Sequence, residues 1–368
     1  MLQGLKALTI ATGLMAVVGG ATSAVAQELP SYYPSDYNTL LEASKQEKEL
    51  LIYTNLSPEI WEKINEGLAK RYPWITVKTV DLGTELFDRL QAEQASNTRT
   101  ADLVVTSASE NWKEFRDAGF ILDYKSPESD KLPDWAKPHP GLYAITADPM
   151  VMIYNKFLIP EAEAPKSVHD VAALVEKHPE LKDKITTYSV AVPYGQALHW
   201  AWVKKNPDAK DVLAKLGPIV RPERSAGPMF EKVGTGEYAA AYFISSATAF
   251  QRLKDPARAS VVGWNFIADG NPVVLRGVGI PKSSANINSA KVMLDFLVSV
   301  DGQIALGQGG VTPYREEVTK DQVANYTYRS IADAVGGDDN VLIVGFDKEY
   351  LAEPTFIDEM KALYLQAK

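Results

Sequence analysis

Hydroxyl groups gathered just ahead of helices are the first chemistry visible in this chain. Four short segments carry them: Thr54-Asn55-Leu56-Ser57, Ser107-Ala108-Ser109, Ser225-Ala226-Gly227 and Ser245-Ser246. Three directly follow an apolar run that reads as a strand, and all four precede a predicted helix. A helix N-terminus offers N–H groups without intrahelical partners and a partial positive charge, so hydroxyls placed there suit an anion. The competing role is local, because a serine at this position also caps its own helix. If the loops converge, Thr54, Asn55, Ser57, Ser107, Ser109, Ser225, Gly227, Ser245 and Ser246 make one anion-binding surface.

Further candidates flank these loops. Arg224 presents a planar fork suited to carboxylate or phosphate, or else is a solvated charge within Arg221-Pro222-Glu223-Arg224. Tyr194 and His199, with Gln196, follow a predicted strand at Thr187–Val192; His199 is alternatively a packed helix histidine, and Trp200 and Trp202 read as core. Tyr242 lies in the apolar run that leads into Ser245. Asp148, before Pro149, is either an acceptor for a ligand hydroxyl or amine or a turn residue. Arg276 and Tyr314-Arg315 are secondary candidates.

Catalytic signatures are missing. The four histidines, His139, His169, His178 and His199, form no H-E-x-x-H, and the chain has no G-x-S-x-G and no P-loop. With no cysteine there is no disulfide, thiol nucleophile or thiolate metal site, and neither a cofactor nor a metal is expected. The net charge of −9 argues against nucleic acid and anionic lipid as partners. A polyamine would require several carboxylates in the candidate loops, which hold little beyond Glu110.

Positioning these loops falls to an exported, two-domain protein. Residues 1–26 carry Lys6, an apolar stretch Leu8–Val18 and Ala24-Val25-Ala26, the pattern of a signal peptide cleaved before Gln27. No cysteine stands at that cut for lipid anchoring, so a monomer free in the periplasm is expected. Removing 26 of 368 residues leaves 342, more than one core usually serves. Leu50–Thr54, Ile75–Val80 and Asp102–Thr106 read as strands alternating with helices at Pro58–Arg71 and Thr84–Ala95, the pattern of a parallel sheet. Two strands, Tyr143–Thr146 and Val151–Tyr154, are expected on either side of Asp148-Pro149. A smaller α/β block follows, with a strand at Tyr238–Ile244. A return strand at Val273–Pro281 and an amphipathic helix at Asn288–Val300 come next, and the remainder reads as mostly helix.

The order of these segments resembles the type II extracellular solute-binding proteins of ABC importers, in the ferric-iron-like branch. The stretches that carry the likeness are Leu51-Ile52-Tyr53-Thr54, Thr100–Thr106, Ile153-Tyr154-Asn155-Lys156, Pro165–Asp170, Gly236–Tyr242, Gly279–Lys282 and Ala290–Leu297 with Gly302-Gln303. They cover roughly residues 50 to 315, and their order and spacing carry the likeness more than any one of them. The resemblance implies an α/β fold of two lobes, each a mostly parallel sheet flanked by helices, joined by two crossover strands, with ligand bound between them. Lobe 1 is expected at 27–152 plus 265–318, lobe 2 at 153–264, and a C-terminal helical segment at 319–368. Ferric-binding members carry two consecutive tyrosines just after the strand matching Tyr238–Ile244; here that place reads Phe243-Ile244-Ser245-Ser246. Phenolates suit a hard cation, and their absence points instead to a small organic anion such as a phosphorylated sugar, a phosphonate or a carboxylate. The implied partners are that anion and the transmembrane subunits of a permease. A ferric ion or chelate is the alternative, with a polyamine or an exported hydrolase behind it.

Overall fold

A computed structural model describes residues 29–364 except 84, 97 and 348, and the backbone alone at 109, 110, 352 and 354. The leader read at residues 1–26 lies outside the described residues. The strands are β1 (Leu50–Thr54), β2 (Val77–Asp81), β3 (Leu103–Thr106), β4 (Leu142–Asn155), β5 (Ile185–Thr186), β6 (Ala240–Ser245), β7 (Val262–Asn265), β8 (Asn271–Gly279) and β9 (Val341–Val344). They join in the order β2-β1-β3-β8-β4-β6-β5, with β7 added to β4 and β9 to β8.

The first three strands pair in parallel, as their near-continuous apolar runs require. The helix Pro58–Arg71 starts with Ser57 in extended backbone and proline at its first position, and it buries Trp61, Ile64 and Leu68. It lies close against the helix Val300–Gly309, where a Cβ on Gly67 would come 2.9 Å from that of Ala305. Glycine is what lets the two backbones approach.

The centre of the sheet departs from the sequence expectation. Instead of two strands broken at Asp148-Pro149, β4 is one strand of 14 residues, buried throughout. Its first part, Leu142–Pro149, pairs antiparallel with β8, and from Met150 it pairs with β6 and β7. Pro149 stands at the change of partners, where a missing N–H is tolerated in a sheet. The predicted strand Thr187–Val192 is also corrected: β5 stops at Thr186, and the chain leaves the sheet before the helix Pro193–Lys205. Gly195 there packs on the Ser189 carbonyl, 2.2 Å from where a Cβ would sit, so only glycine fits this close approach. The C-terminal part is not all helical, since β9 runs parallel to β8 with Val341 opposite Asn271.

Two hydrophobic cores flank the long strands. One gathers Ile52, Val104, Trp112, Leu142–Ala147, Val273 and Phe296; the other gathers Met150–Tyr154, Leu198, Phe230, Ala239–Ile244, Val274 and Tyr364. β4 passes from the first core at Ala147 to the second at Met150, and β8 gives Val273 and Leu275 to the first and Val274 to the second, so both strands sit where a hinge between lobes would lie.

Candidate functional site

The hydroxyl loops gather around two adjoining cavities. The first, about 430 Å³, has Asn55, Ser57, Glu59, Ser245, Thr248, Gln251, Lys254, Arg276 and Asn325 in its walls. The second, about 440 Å³, has Asn55, Ser107, Tyr188, Tyr194, Arg224, Ser225, Gly227, Ser245 and Thr248. Asn55, Ser245 and Thr248 line both, so the cavities are two chambers of one cleft. One wall comes from the loops after β1 and β3, and the other from the second core.

Asn55 fixes the first wall. Its Oδ1 accepts from the Ser107 N–H at 3.3 Å and from Arg276 Nη1, and its Nδ2 donates to Ser107 Oγ at 3.1 Å. The loops after β1 and β3 are thus tied to each other and to β8. Arg276 is 7% exposed, lies 3.7 Å from Asp148 through Nη2, and has no partner for Nε. Burial lowers its pKa, but a guanidinium remains charged in any protein environment. A buried cation with one distant counter-charge and an unmet donor favours a further anion in the adjoining chamber.

The serines are not consumed as caps. Ser57, Ser225 and Ser245 hold the N-cap positions of their helices, yet none makes a side-chain cap bond. Elsewhere in the same chain Ser167, Ser299 and Thr327 do cap, accepting from Asp170, Gly302 and Ser330. At Ser107-Ala108-Ser109 the N-cap is Ala108, while Ser107 bonds Asn55 and the Ser109 side chain lies outside the described residues. Ser57 instead hydrogen-bonds the Glu59 carboxylate and holds that group below its usual range. Four helix N-termini therefore border the cleft, with the Ser57, Ser225 and Ser245 hydroxyls not spent on their own helices.

Five expected site residues do not line either chamber. Thr54 is 1% exposed, and its hydroxyl accepts from Leu56 N–H at 3.0 Å and Trp61 Nε1 at 3.3 Å. Asp148 is no turn residue but a buried member of β4, accepting from Thr146 Oγ1 at 2.8 Å and Thr312 N–H at 2.9 Å. Burial pushes its carboxyl up, against the opposing pull of Arg276. His199 is fully buried; its Nδ1 donates to the Gly195 carbonyl at 2.8 Å, and burial pushes its imidazole down to about 4. Tyr242 is buried with its hydroxyl 2.9 Å from that of Tyr364, and Ser246 is buried at the start of its helix. The side chains of Thr54, His199 and Tyr242 lie against core aromatics, whereas Asp148 lies beside Arg276. The secondary candidates Tyr314 and Arg315 are structural too: the Tyr314 hydroxyl donates to Ala144, and Arg315 Nη1 meets Glu128 at 2.7 Å, both buried. Tyr32 and Tyr33 also donate to Glu128.

Several wall residues escaped the sequence reading. Thr248, Gln251 and Lys254 continue the face that starts at Ser245, at spacings of three along the helix Ser246–Leu253 and just beyond its end. Tyr188 packs edge-on to Tyr194 with ring centroids 5.0 Å apart, and burial pushes its phenol up to about 12. Arg276, a secondary candidate in the sequence, is promoted to the wall, a lone charge inside the apolar run Val273–Val278.

Among the described residues no group of three or more His, Asp or Glu side chains could hold a metal ion, and no helix is long and apolar enough to cross a membrane. The sequence profile described as "Bacterial extracellular solute-binding protein" matches residues 53–304, more than half of the chain. The chain belongs to this family. A substrate binding protein of an ABC transporter from Agrobacterium tumefaciens superposes on this solute-binding protein with a TM-score of 0.73 at 22% identity, covering 86% of this chain and 95% of that one. Iron-bound HitA from Pseudomonas aeruginosa superposes with a TM-score of 0.65 at 19% identity over 85% and 99% of the two chains. A Trichodesmium protein (IdiA, FutA) in complex with iron and citrate gives 0.65 at 20% identity over 86% and 99%. At these identities the likeness is one of fold, the two-lobe periplasmic-binding architecture. No curated protein sequence matches the chain.

Proposed function

We propose that this solute-binding protein is the substrate-binding component of an ABC importer and captures a small organic anion in the two-chambered cleft. It acts in the periplasm after removal of residues 1–26 and hands its ligand unchanged to a membrane permease. The observation that carries the reading is Arg276: buried, short of partners, and set beside helix N-termini whose serines leave their caps unmade. Charge-assisted hydrogen bonds in such a space are worth roughly 1.5–3 kcal/mol each. Carboxylates are few; Glu59 is the one acidic side chain among the described wall residues, which weighs against a polyamine. No histidine or paired carboxylate in the walls supports turnover. We propose lobe boundaries near residues 152 and 265; in support, the core changes on β4 between Ala147 and Met150 and changes back between Ile267 and Val273.

Ferric ion is the second reading, favoured by one feature, the Tyr188–Tyr194 pair in the second chamber, and by the names of the iron-bound structural neighbours. Against it, the second chamber brings no carboxylate or histidine to join the two phenols among its described wall residues. A thermal-shift screen of the mature protein against sugar phosphates, phosphonates, carboxylates and ferric citrate separates the two. Ligand bound to the folded state raises the melting temperature by mass action. An organic anion is expected to shift it and to be recovered intact; a shift by ferric citrate alone, with a 1:1 charge-transfer band, sinks the anion reading.

A further inference from the structure

The cleft is divided, and each chamber has its own cation. In the first, Arg276 and Lys254 stand against Glu59, and Ser57 and Ser245 mark two helix N-termini. In the second, Arg224 is the only charged side chain among the described wall residues, joined by Ser225 and Gly227 at a third helix start and Ser107 beside a fourth. Arg224 is exposed to the cleft and hydrogen-bonds no carboxylate among the described residues. The chambers meet at a neutral wall of Asn55, Ser245 and Thr248.

A ligand with one anionic head satisfies one chamber only. When the lobes close, the cation of the other chamber loses water without gaining a counter-charge, which is unfavourable. The geometry points to a ligand with two anionic groups, one for each chamber, joined by a short neutral spacer that crosses the Asn55–Thr248 wall. The buried Arg276 side takes the head that is fully desolvated, and Arg224 takes the head nearer solvent. This rests on the anion reading above and adds to it the number and spacing of charges on the ligand.

The test is isothermal titration of the full mature protein with three probes: 3-phosphonopropionate, propylphosphonate and butyrate. The two-headed probe is expected to bind at least about tenfold more tightly than either single-headed one, a gap of about 1.4 kcal/mol. Arg224→Gln and, separately, Lys254→Gln should each shrink that gap to roughly threefold or less, with unchanged melting temperature, since both side chains are exposed. Equal binding of propylphosphonate and 3-phosphonopropionate, or a gap that survives Arg224→Gln, overturns the two-headed ligand and leaves the anion reading standing. Failure of all three probes, with sugar phosphates and other organic anions also inert, brings down both.

Discussion

Buried charges carry the chemistry of this molecule at the scale of single residues, and they divide into two kinds. Arg276 keeps its charge next to the cleft, with an unmet donor, and so favours an incoming anion. Asp295 is wholly enclosed, with its Oδ2 accepting from the hydroxyls of Tyr37 and Tyr124 at 2.7 Å each. Burial pushes its carboxyl up to about 7, above the 3.8 of the unfolded chain, so the neutral form suits the fold better than the charged one. Its contribution to stability is therefore complete below about pH 4 and is lost as pH rises through about 7. Asp295→Asn keeps an acceptor for the two phenols and removes the titration. The variant should hold its stability from pH 4 to 8, while the native protein loses about 2–4 kcal/mol over that interval. Urea midpoints across the pH series check this, and parallel curves for the two proteins would remove Asp295 from the explanation.

Helix starts are the elements that turn sequence into site. Ser167 and Ser225 look alike in sequence, each ahead of a ten-residue helix, yet only Ser167 bonds its own first turn. Ser167→Ala should cost about 0.5–2 kcal/mol of stability with ligand affinity intact. Ser225→Ala should leave the melting temperature nearly unchanged and weaken anion binding. Equal destabilisation by both would return Ser225 to an ordinary cap. The hydroxyl loops and the parallel strands β1 to β3 were legible because apolar runs and Ser-Pro or Ser-Ala starts have local causes. β9 was not, since a four-residue run such as Val341-Leu342-Ile343-Val344 carries no period that separates strand from helix. Nor was β4, where Pro149 reads locally as a break and is tolerated only through the exchange of partner strands around it. Which serine faces the cleft and which faces its own helix is a matter of tertiary placement, and the same holds for Thr54, Tyr242 and His199, whose side chains turned into the cores.

Across the whole molecule, two cores share two long strands, and the cleft opens where those strands pass between them. The family supplies the role, the fold supplies the cleft, and in the proposed reading the wall residues supply a preference for negative charge. That preference can be reversed at one position. Thr248 lies on the wall common to both chambers, in the first turn of the helix Ser246–Leu253, where a glutamate is compatible with the helix dipole and should not lower stability. The direct measurement is the ligand-induced melting shift of Thr248→Glu beside the native protein, with the same panel of organic anions. Both proteins should melt at similar temperatures alone, and only the native one should be stabilised by an anion. Equal stabilisation of both, or stabilisation of both by ferric ion and by no anion, would contradict an anion site in this cleft.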